Sequence, residues 1–213
     1  MPSIKPLWPR RGLYAITPDE SDTGRLVARV VPVLEAGAAV LQYRNKSADA
    51  ALRREQALAM QSLCRRHRVP LIVNDDWRLA ADIGADGAHL GGDDGDLRDA
   101  RAAMGDAAVL GASCYDDLDR AREAVDNGVD YIAFGAFFPS GTKPNARRAT
   151  PQLLHDSADF GVPRGAIGGI TPTNAPLLID AGADLIAVIG GLFDSPDPYA
   201  AARAYIDCFE DLT

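Results

Sequence analysis

Short apolar runs alternate with amphipathic segments along this chain, and the pair recurs eight times. Gly12 to Ile16 is the first predicted strand, and Thr17-Pro18 ends it. In the following helix Val27, Val30, Val31 and Leu34 occupy i, i+3, i+4 and i+7 and so share one buried face, with Gly37 as the expected C-cap. The same pattern places strands at Ala38 to Tyr43, Pro70 to Val73, Gly87 to Leu90, Ala108 to Ala112, Tyr131 to Gly135, Pro163 to Ile167 and Leu185 to Ile189. Between them the spacing predicts helices over about Asp49 to Arg66, Trp77 to Ile83, Asp96 to Met104, Asp116 to Asn127 and Thr150 to Phe160. A further helix is expected to open at Thr171-Pro172, with threonine as N-cap and proline at the first helical position, and to end at Gly182. The last carries Ala202, Tyr205, Ile206 and Phe209 at helical spacing.

Four segments echo one another: AGAAVLQYR, IGADGAHLG, NGVDYIAFG and AGADLIAVIG each set a helix-ending glycine just ahead of strands two, four, six and eight. Strands that are apolar on both faces, with helices between them, demand parallel pairing. Repetition in every second unit fits a closed barrel whose alternate strands have similar surroundings. Eight units in one short chain, without an early GxGxxG turn, favour a single (β/α)8 TIM barrel over an open doubly wound sheet. The barrel is assigned to residues 12 to 213 and an N-terminal extension to residues 1 to 11.

Composition narrows the partners. At 213 residues with a net charge of -8, the chain lacks the extended basic face that nucleic acid or an anionic membrane would need. Met1 to Arg11 has no apolar core of signal-peptide length, and no run is long enough to span a bilayer. Cys64, Cys114 and Cys208 are odd in number and lack metal-ligand spacing, which reads as reduced thiols in a cytoplasmic protein. Of the 22 basic side chains only Lys5, Lys46 and Lys143 are lysine. A compact ammonium at Lys46 and Lys143 is therefore either chance or a requirement of those two strand ends.

In a barrel of this kind function belongs to the loops after the strands. Strand two leaves through Gln42, Tyr43, Arg44, Asn45 and Lys46, and strand alternation puts Gln42, Arg44 and Lys46 on one side. Strand three leaves through Asn74, Asp75 and Asp76, and strand four through His89, Gly91, Gly92, Asp93 and Asp94. Carboxylates on neighbouring strand ends form either a solvated acidic rim or a site for one hard cation such as magnesium, which takes one or two carboxylates and bridges to phosphate. His89 reads as a hydrogen-bonded packing residue rather than a ligand. Ser113, after strand five, offers a hydroxyl for binding, while Cys114 reads as packing; neither has an activating base in view. Gly168-Gly169 and Ile189-Gly190-Gly191, after strands seven and eight, suit either tight turns or backbone N–H groups approaching a phosphate. After strand six comes Phe137-Phe138-Pro139-Ser140-Gly141-Thr142-Lys143-Pro144-Asn145, a stiffened turn whose two hydroxyls and one cation are either solvated or bind a phosphorylated ligand.

With these residues in order, the chain resembles the thiamine phosphate synthase family along almost its whole length, through LYAITPD, LQYRNK, LIVNDD, GADGAHLGGDD, LGASCY, FGAFFPSGTKPNA, AIGGITPTN and AGADLIAVIG. The resemblance implies a magnesium-dependent transfer of hydroxymethylpyrimidine from its diphosphate to the nitrogen of thiazole phosphate, with release of diphosphate. It implies that Gln42, Arg44, Lys46, Asn74, Ser113 and Lys143 contact the pyrimidine diphosphate, that Asp75 and Asp94 hold Mg2+, and that Ser140, Thr142, Gly169, Ile189 and Gly190 hold the thiazole phosphate. Arg44, Lys46 and Lys143 carry the charge stabilisation of the leaving group. Gly92 and Gly190 stand where the family often has Gln and Ser, so Gly190 can act only through its main chain; Ser140 replaces a frequent Thr. An electron-rich aminopyrimidine can support positive charge at its methylene, so neither a covalent nucleophile nor a general base is required. Two other readings are a Schiff-base aldolase using Lys143, which sits in a polar loop rather than a dry strand, and a non-catalytic precursor-binding protein. A homo-oligomer is compatible with all three.

Overall fold

The computed structural model describes residues 8–139 and 148–210. Eight parallel strands close into one barrel in sequence order, β8 pairing back onto β1. They are β1 (Gly12–Ile16), β2 (Val40–Tyr43), β3 (Leu71–Asn74), β4 (Gly87–Leu90), β5 (Val109–Tyr115), β6 (Tyr131–Gly135), β7 (Arg164–Ile167) and β8 (Leu185–Val188). Around them run α1 (Thr23–Glu35), α2 (Ala50–His67), α3 (Trp77–Ile83), α4 (Leu97–Met104), α5 (Leu118–Asp126), α6 (Pro151–Asp156), α7 (Ala175–Asp180), α8 (Gly190–Phe193) and α9 (Pro198–Glu210). No helix among the described residues is long and apolar enough to cross a membrane.

Strand alternation separates two apolar compartments. Leu13, Leu41, Val73, Leu110 and Phe134 point outward and pack with the helices. Tyr14, Val40, Ile72, Val109, Tyr131 and Leu185 point inward and fill the barrel. Trp8 joins that interior cluster and stacks on Tyr131 with ring centroids 4.7 Å apart, so the described end of the N-terminal extension packs against the barrel's own core.

Aspartate does most of the local construction. Asp22, Asp49, Asp76, Asp96 and Asp117 each stand one residue before α1 to α5 and accept a first-turn backbone N–H, satisfying donors the helix leaves orphaned. Asp86, Asp130 and Asp184 stand one residue before β4, β6 and β8. Their carboxylates accept the backbone N–H of Leu71, Leu110 and Arg164, each at 2.8 Å, on the preceding strand. Their own N–H groups donate to the same residues' carbonyls at 3.1, 2.7 and 2.8 Å. This two-bond clamp explains three of the four echoing segments; in the fourth, Ala39 keeps only the backbone bond, to Leu13 O at 2.8 Å.

Four elements differ from the sequence expectation. β5 runs on to Tyr115, so Ser113 and Cys114 are strand residues, the first facing inward and the second outward. α6 stops at Asp156 because the Ser157 hydroxyl turns back to the Leu153 carbonyl at 2.7 Å, and a short 3-10 turn, Ala158–Phe160, completes the segment. α7 opens at Ala175, not at Thr171-Pro172: Thr171 N–H donates to Asn174 Oδ1 at 2.8 Å and Asn174 N–H returns to the Thr171 carbonyl at 3.1 Å, a turn that moves the cap to Asn174. Gly190 and Gly191, expected only as part of the exit from strand eight, begin α8 with Ile189 as its N-cap.

Candidate active site

The loop between β2 and α2 is held by buried polar groups rather than by strand pairing. Thr17, fully buried at the end of β1, accepts the Arg44 N–H and donates to the Arg44 carbonyl, both at 2.8 Å. Asn45 Nδ2 donates to the Glu20 carbonyl and to Gln56 Oε1 while its Oδ1 accepts from Ser47, so the turn carrying Arg44 and Lys46 is pinned from both sides. Strand alternation no longer governs residues beyond Tyr43, and the three predicted side chains diverge. Gln42 points into the barrel and donates to the Tyr14 hydroxyl at 2.9 Å. Arg44 pairs with Asp19 at 3.0 Å, and Lys46 Nζ reaches Asp75 Oδ2 at 3.4 Å.

The adjacent acids after β3 are engaged differently. Asp76 is committed to capping α3, accepting from Leu79 N–H at 2.9 Å. Asp75 has φ 63, a left-handed conformation that costs most side chains about 1 kcal/mol but that Asp tolerates. Its N–H donates to the His89 carbonyl at 2.8 Å, which fixes β3's exit against β4. Asp94 Oδ2 accepts from Gly91 N–H at 2.7 Å. Burial pushes the Asp94 carboxyl above the usual range; the Gly91 N–H opposes this, the adjacent Asp75 carboxyl adds to the rise, and Lys46 offsets part of it. The Asp94 carboxyl, with the Asp75 carboxyl and one ammonium beside it, forms a donor set that accepts a cation. No cluster of three or more His, Cys, Asp or Glu able to hold a metal occurs among the described residues. An ion that needs only two protein oxygens and otherwise keeps waters or phosphate therefore fits, and Mg2+ is such an ion. A cleft of about 50 Å³ adjoins this group, lined by Lys46, Arg53, Asn74 and Asp75 among others.

Inside the mouth a line of hydrogen bonds crosses the barrel. Gln42 Nε2 meets the Tyr14 hydroxyl at 2.9 Å, Tyr14 meets Tyr131 at 2.7 Å, Tyr131 meets His89 Nδ1 at 2.9 Å, and His89 Nε2 meets Ser113 Oγ at 2.9 Å. Burial lifts both phenols well above the ordinary tyrosine range and drops His89 to about 4, so all three are neutral near pH 7. Tyr14 and Tyr131 were missed in the sequence. Their signal was a polar tip at an inward position of an otherwise apolar strand. His89 was anticipated as a bonded packing residue, and its two bonds join Ser113 to Gln42.

On the far side of the mouth, Phe137 and Phe138 N–H groups donate to the carbonyls of Ile167 and Gly168 at 3.1 and 3.0 Å. Gly169 lies so close to this segment that a Cβ there would sit 2.5 Å from the Pro139 carbonyl, and its φ of 63 adds a second reason for glycine. The first N–H groups of α8, on Gly190 and Gly191, have no intrahelical acceptor. A Cβ at Gly190 would meet Asp194 Oδ2 at 2.6 Å, so a serine there would have to displace that carboxylate. Ser140, Thr142 and Lys143 lie outside the described residues.

A (β/α)8 barrel with paired acids, a lysine and glycine-lined strand ends at one mouth defines a phosphate-handling barrel enzyme. Residues 13–192 match the family model described as thiamine monophosphate synthase. A thiamine-phosphate synthase of Xanthomonas campestris pv. campestris (strain 8004) is 56% identical over 195 residues, 92% of this chain and 94% of that protein. One of Xylella fastidiosa (strain 9a5c) is 52% identical over 202 residues, 94% of this chain and 86% of the other. The solved thiamine phosphate pyrophosphorylase of Pyrococcus furiosus superposes with a TM-score of 0.85 at 30% identity, covering 97% of this chain and 98% of that one. The chain belongs to the thiamine monophosphate synthase family, a family of transferases.

Proposed function

We propose that the barrel mouth joins hydroxymethylpyrimidine diphosphate to thiazole phosphate by a dissociative substitution, forming thiamine phosphate and releasing diphosphate. The observation that carries the assignment of roles is the meeting of Lys46, Asp75 and Asp94 at the exits of β2, β3 and β4. Asp75 and Asp94 would hold Mg2+, which supplies electrostatic stabilisation of the diphosphate oxygens. Arg44 and Lys46 exchange their carboxylate partners for those oxygens, and Lys143 acts from the loop after β6. Asn74 and Ser113 contact the same substrate, and Gln42 its ring. Ser140, Thr142, Gly169, Ile189 and Gly190 hold the thiazole phosphate, the glycines through their backbone N–H groups.

The chain's residues bind, align and exclude water. As the carbon to oxygen bond breaks, both electrons leave with the diphosphate, and the basic side chains take up the developing charge. The thiazole nitrogen, which carries no proton, then donates its lone pair to the methylene carbon, so no residue need act as a base. The described site contains no activated nucleophile: burial pushes the nearby Cys114 thiol up to about 12, and that thiol faces the helices. This agrees with a mechanism that rests on positioning and charge. The test is to mix the two phosphorylated heterocycles with Mg2+ and measure thiamine phosphate and diphosphate together. Lys143→Ala is expected to lower turnover by on the order of a hundredfold, the usual loss for a charge-stabilising donor, with the fold intact. Wild-type turnover in that variant, or binding of both substrates without diphosphate release by the wild type, would overturn the proposal.

A further inference from the structure

We propose that Tyr14, Tyr131 and His89 are positioning residues that fix the hydrogen-bonding sense of the pocket, leaving Gln42 as an acceptor and Ser113 as a donor toward the ring of the pyrimidine substrate. The inference rests on the substrate reading above and adds the chemical pattern that the pocket selects.

The sense follows from counting protons along the buried line. The Gln42 amide donates to the Tyr14 oxygen, so the Tyr14 proton must go to its other neighbour, the Tyr131 oxygen 2.7 Å away. Tyr131 therefore cannot donate back to Tyr14, and its proton goes to His89 Nδ1 at 2.9 Å. That nitrogen must be bare, which places the imidazole proton on Nε2, where it is donated to Ser113 Oγ at 2.9 Å. With the Gln42 amide donating, any other order leaves a phenolic proton without an acceptor in the barrel interior, where an unmet buried donor is costly. At the two ends, Gln42 Oε1 accepts from no described residue and the Ser113 hydroxyl proton has no acceptor among them.

The line thus presents a carbonyl at β2 and a hydroxyl proton at β5. An aminopyrimidine supplies the complement, an amino N–H for the carbonyl and a ring nitrogen for the hydroxyl. An oxo analogue, in which C=O replaces the amino group and N–H the bare ring nitrogen, presents the inverse pattern at both ends. Accepting it would require the Gln42 amide to turn over and every proton in the line to reverse. Beneath the line the floor is closed by Trp8 stacked on Tyr131 and by Val40, Ile72 and Val109, so water has little room to repair a mismatch.

Two experiments test this. The ring 15N shifts of His89 in the unliganded protein, assigned by comparison with His89→Gln, are expected to show the Nε2–H tautomer; an Nδ1–H tautomer would overturn the proposal whatever the enzyme's activity. The second is the ratio of kcat/KM for the amino and oxo pyrimidine diphosphates. Wild type is expected to favour the amino compound by about 100-fold or more, as a site built around paired hydrogen bonds does. Tyr131→Phe cuts the line, and the ratio should fall at least about tenfold, with the amino substrate losing more than the oxo. A ratio unchanged in a folded Tyr131→Phe would refute the role, and Tyr14→Phe serves if Tyr131→Phe does not fold. Should the wild type make no product, the proposed reaction fails, and the two Kd values measured by calorimetry then decide the sense of the line on their own.

Discussion

Gly111→Ala should disable the barrel interior by driving a methyl into the Tyr131 ring. A Cβ on this β5 residue would lie 2.0 Å from Tyr131 Cζ and 2.4 Å from its hydroxyl oxygen. Ordinary contact begins near 3.4 Å, so the ring would have to retreat by about 1.5 Å, and an interior packed to crystal-like density has no slack of that size. Tyr131 is held by the Trp8 stack on one face and by bonds of 2.7 and 2.9 Å to Tyr14 and His89, so that retreat breaks at least one of them. Overpacking costs about 1–3 kcal/mol. A buried polar group left unmet adds about 1–3 kcal/mol. The sum, about 2–6 kcal/mol, corresponds to a fall in Tm of roughly 5–20 °C for a domain of this size. Calorimetric scans of Gly111→Ala, Tyr131→Leu and the double variant form the assay. The added methyl should do less harm when the ring it strikes is already gone, giving a coupling of about 1 kcal/mol or more. A Gly111→Ala protein that melts within a degree of wild type, or a strictly additive double variant, would refute the reasoning.

Asp184→Ala removes the acceptor for the Arg164 backbone N–H and its guanidinium, at 2.8 and 3.2 Å, and should destabilise the barrel by about 2–3 kcal/mol, read from urea midpoints at constant slope. His89 titrates near 4 when folded, against about 6.5 unfolded, because burial disfavours its charged form. The unfolded chain therefore binds the extra proton between those values, stability rises with pH across that window, and His89 contributes about 3 kcal/mol of the change. The difference in midpoint between pH 4.5 and pH 7 should shrink accordingly in His89→Gln, and an equal difference would count against the assignment. Burial pushes the Cys64 and Cys114 thiols up to about 12, so neither should react measurably with a disulfide reagent at pH 8 until the protein is unfolded; rapid labelling of the native protein would contradict their placement.

Periodicity in the sequence was enough to place all eight strands and to predict closure, because each strand is a short apolar run flanked by a helix with one apolar face. It failed where a side chain overrode the local pattern. Asn174 drew Thr171 into a turn and delayed α7, and continued pairing with β6 carried β5 through Ser113. The alternation argument for Gln42, Arg44 and Lys46 held only while the chain remained a strand; beyond Tyr43, Thr17 and Asn45 set the direction. The line through Tyr14, Tyr131 and His89 was the least legible feature. Its partners lie 117 and 42 residues apart in the chain, and only barrel closure brings them together. The one local trace, Gly111, has meaning only once the inward Tyr131 ring is known to need its space.

The acidity of the chain takes on a different sense once each carboxylate is placed. A net charge of -8 would oppose the two phosphorylated substrates proposed above if it were spread evenly over the mouth. It is not. An Asp one residue before a helix caps it, as in α1 to α5, and an Asp one residue before β4, β6 or β8 clamps the preceding strand. Eight carboxylates are thereby tied to backbone N–H groups, where a negative charge is matched locally. Asp75 stands directly after a strand, caps nothing, and faces Asp94 and Lys46. Its neighbour Asp76 differs by one position and is a helix cap. Position relative to the element, rather than residue type or overall charge, separates the carboxylates that cap or clamp from Asp75, which does neither.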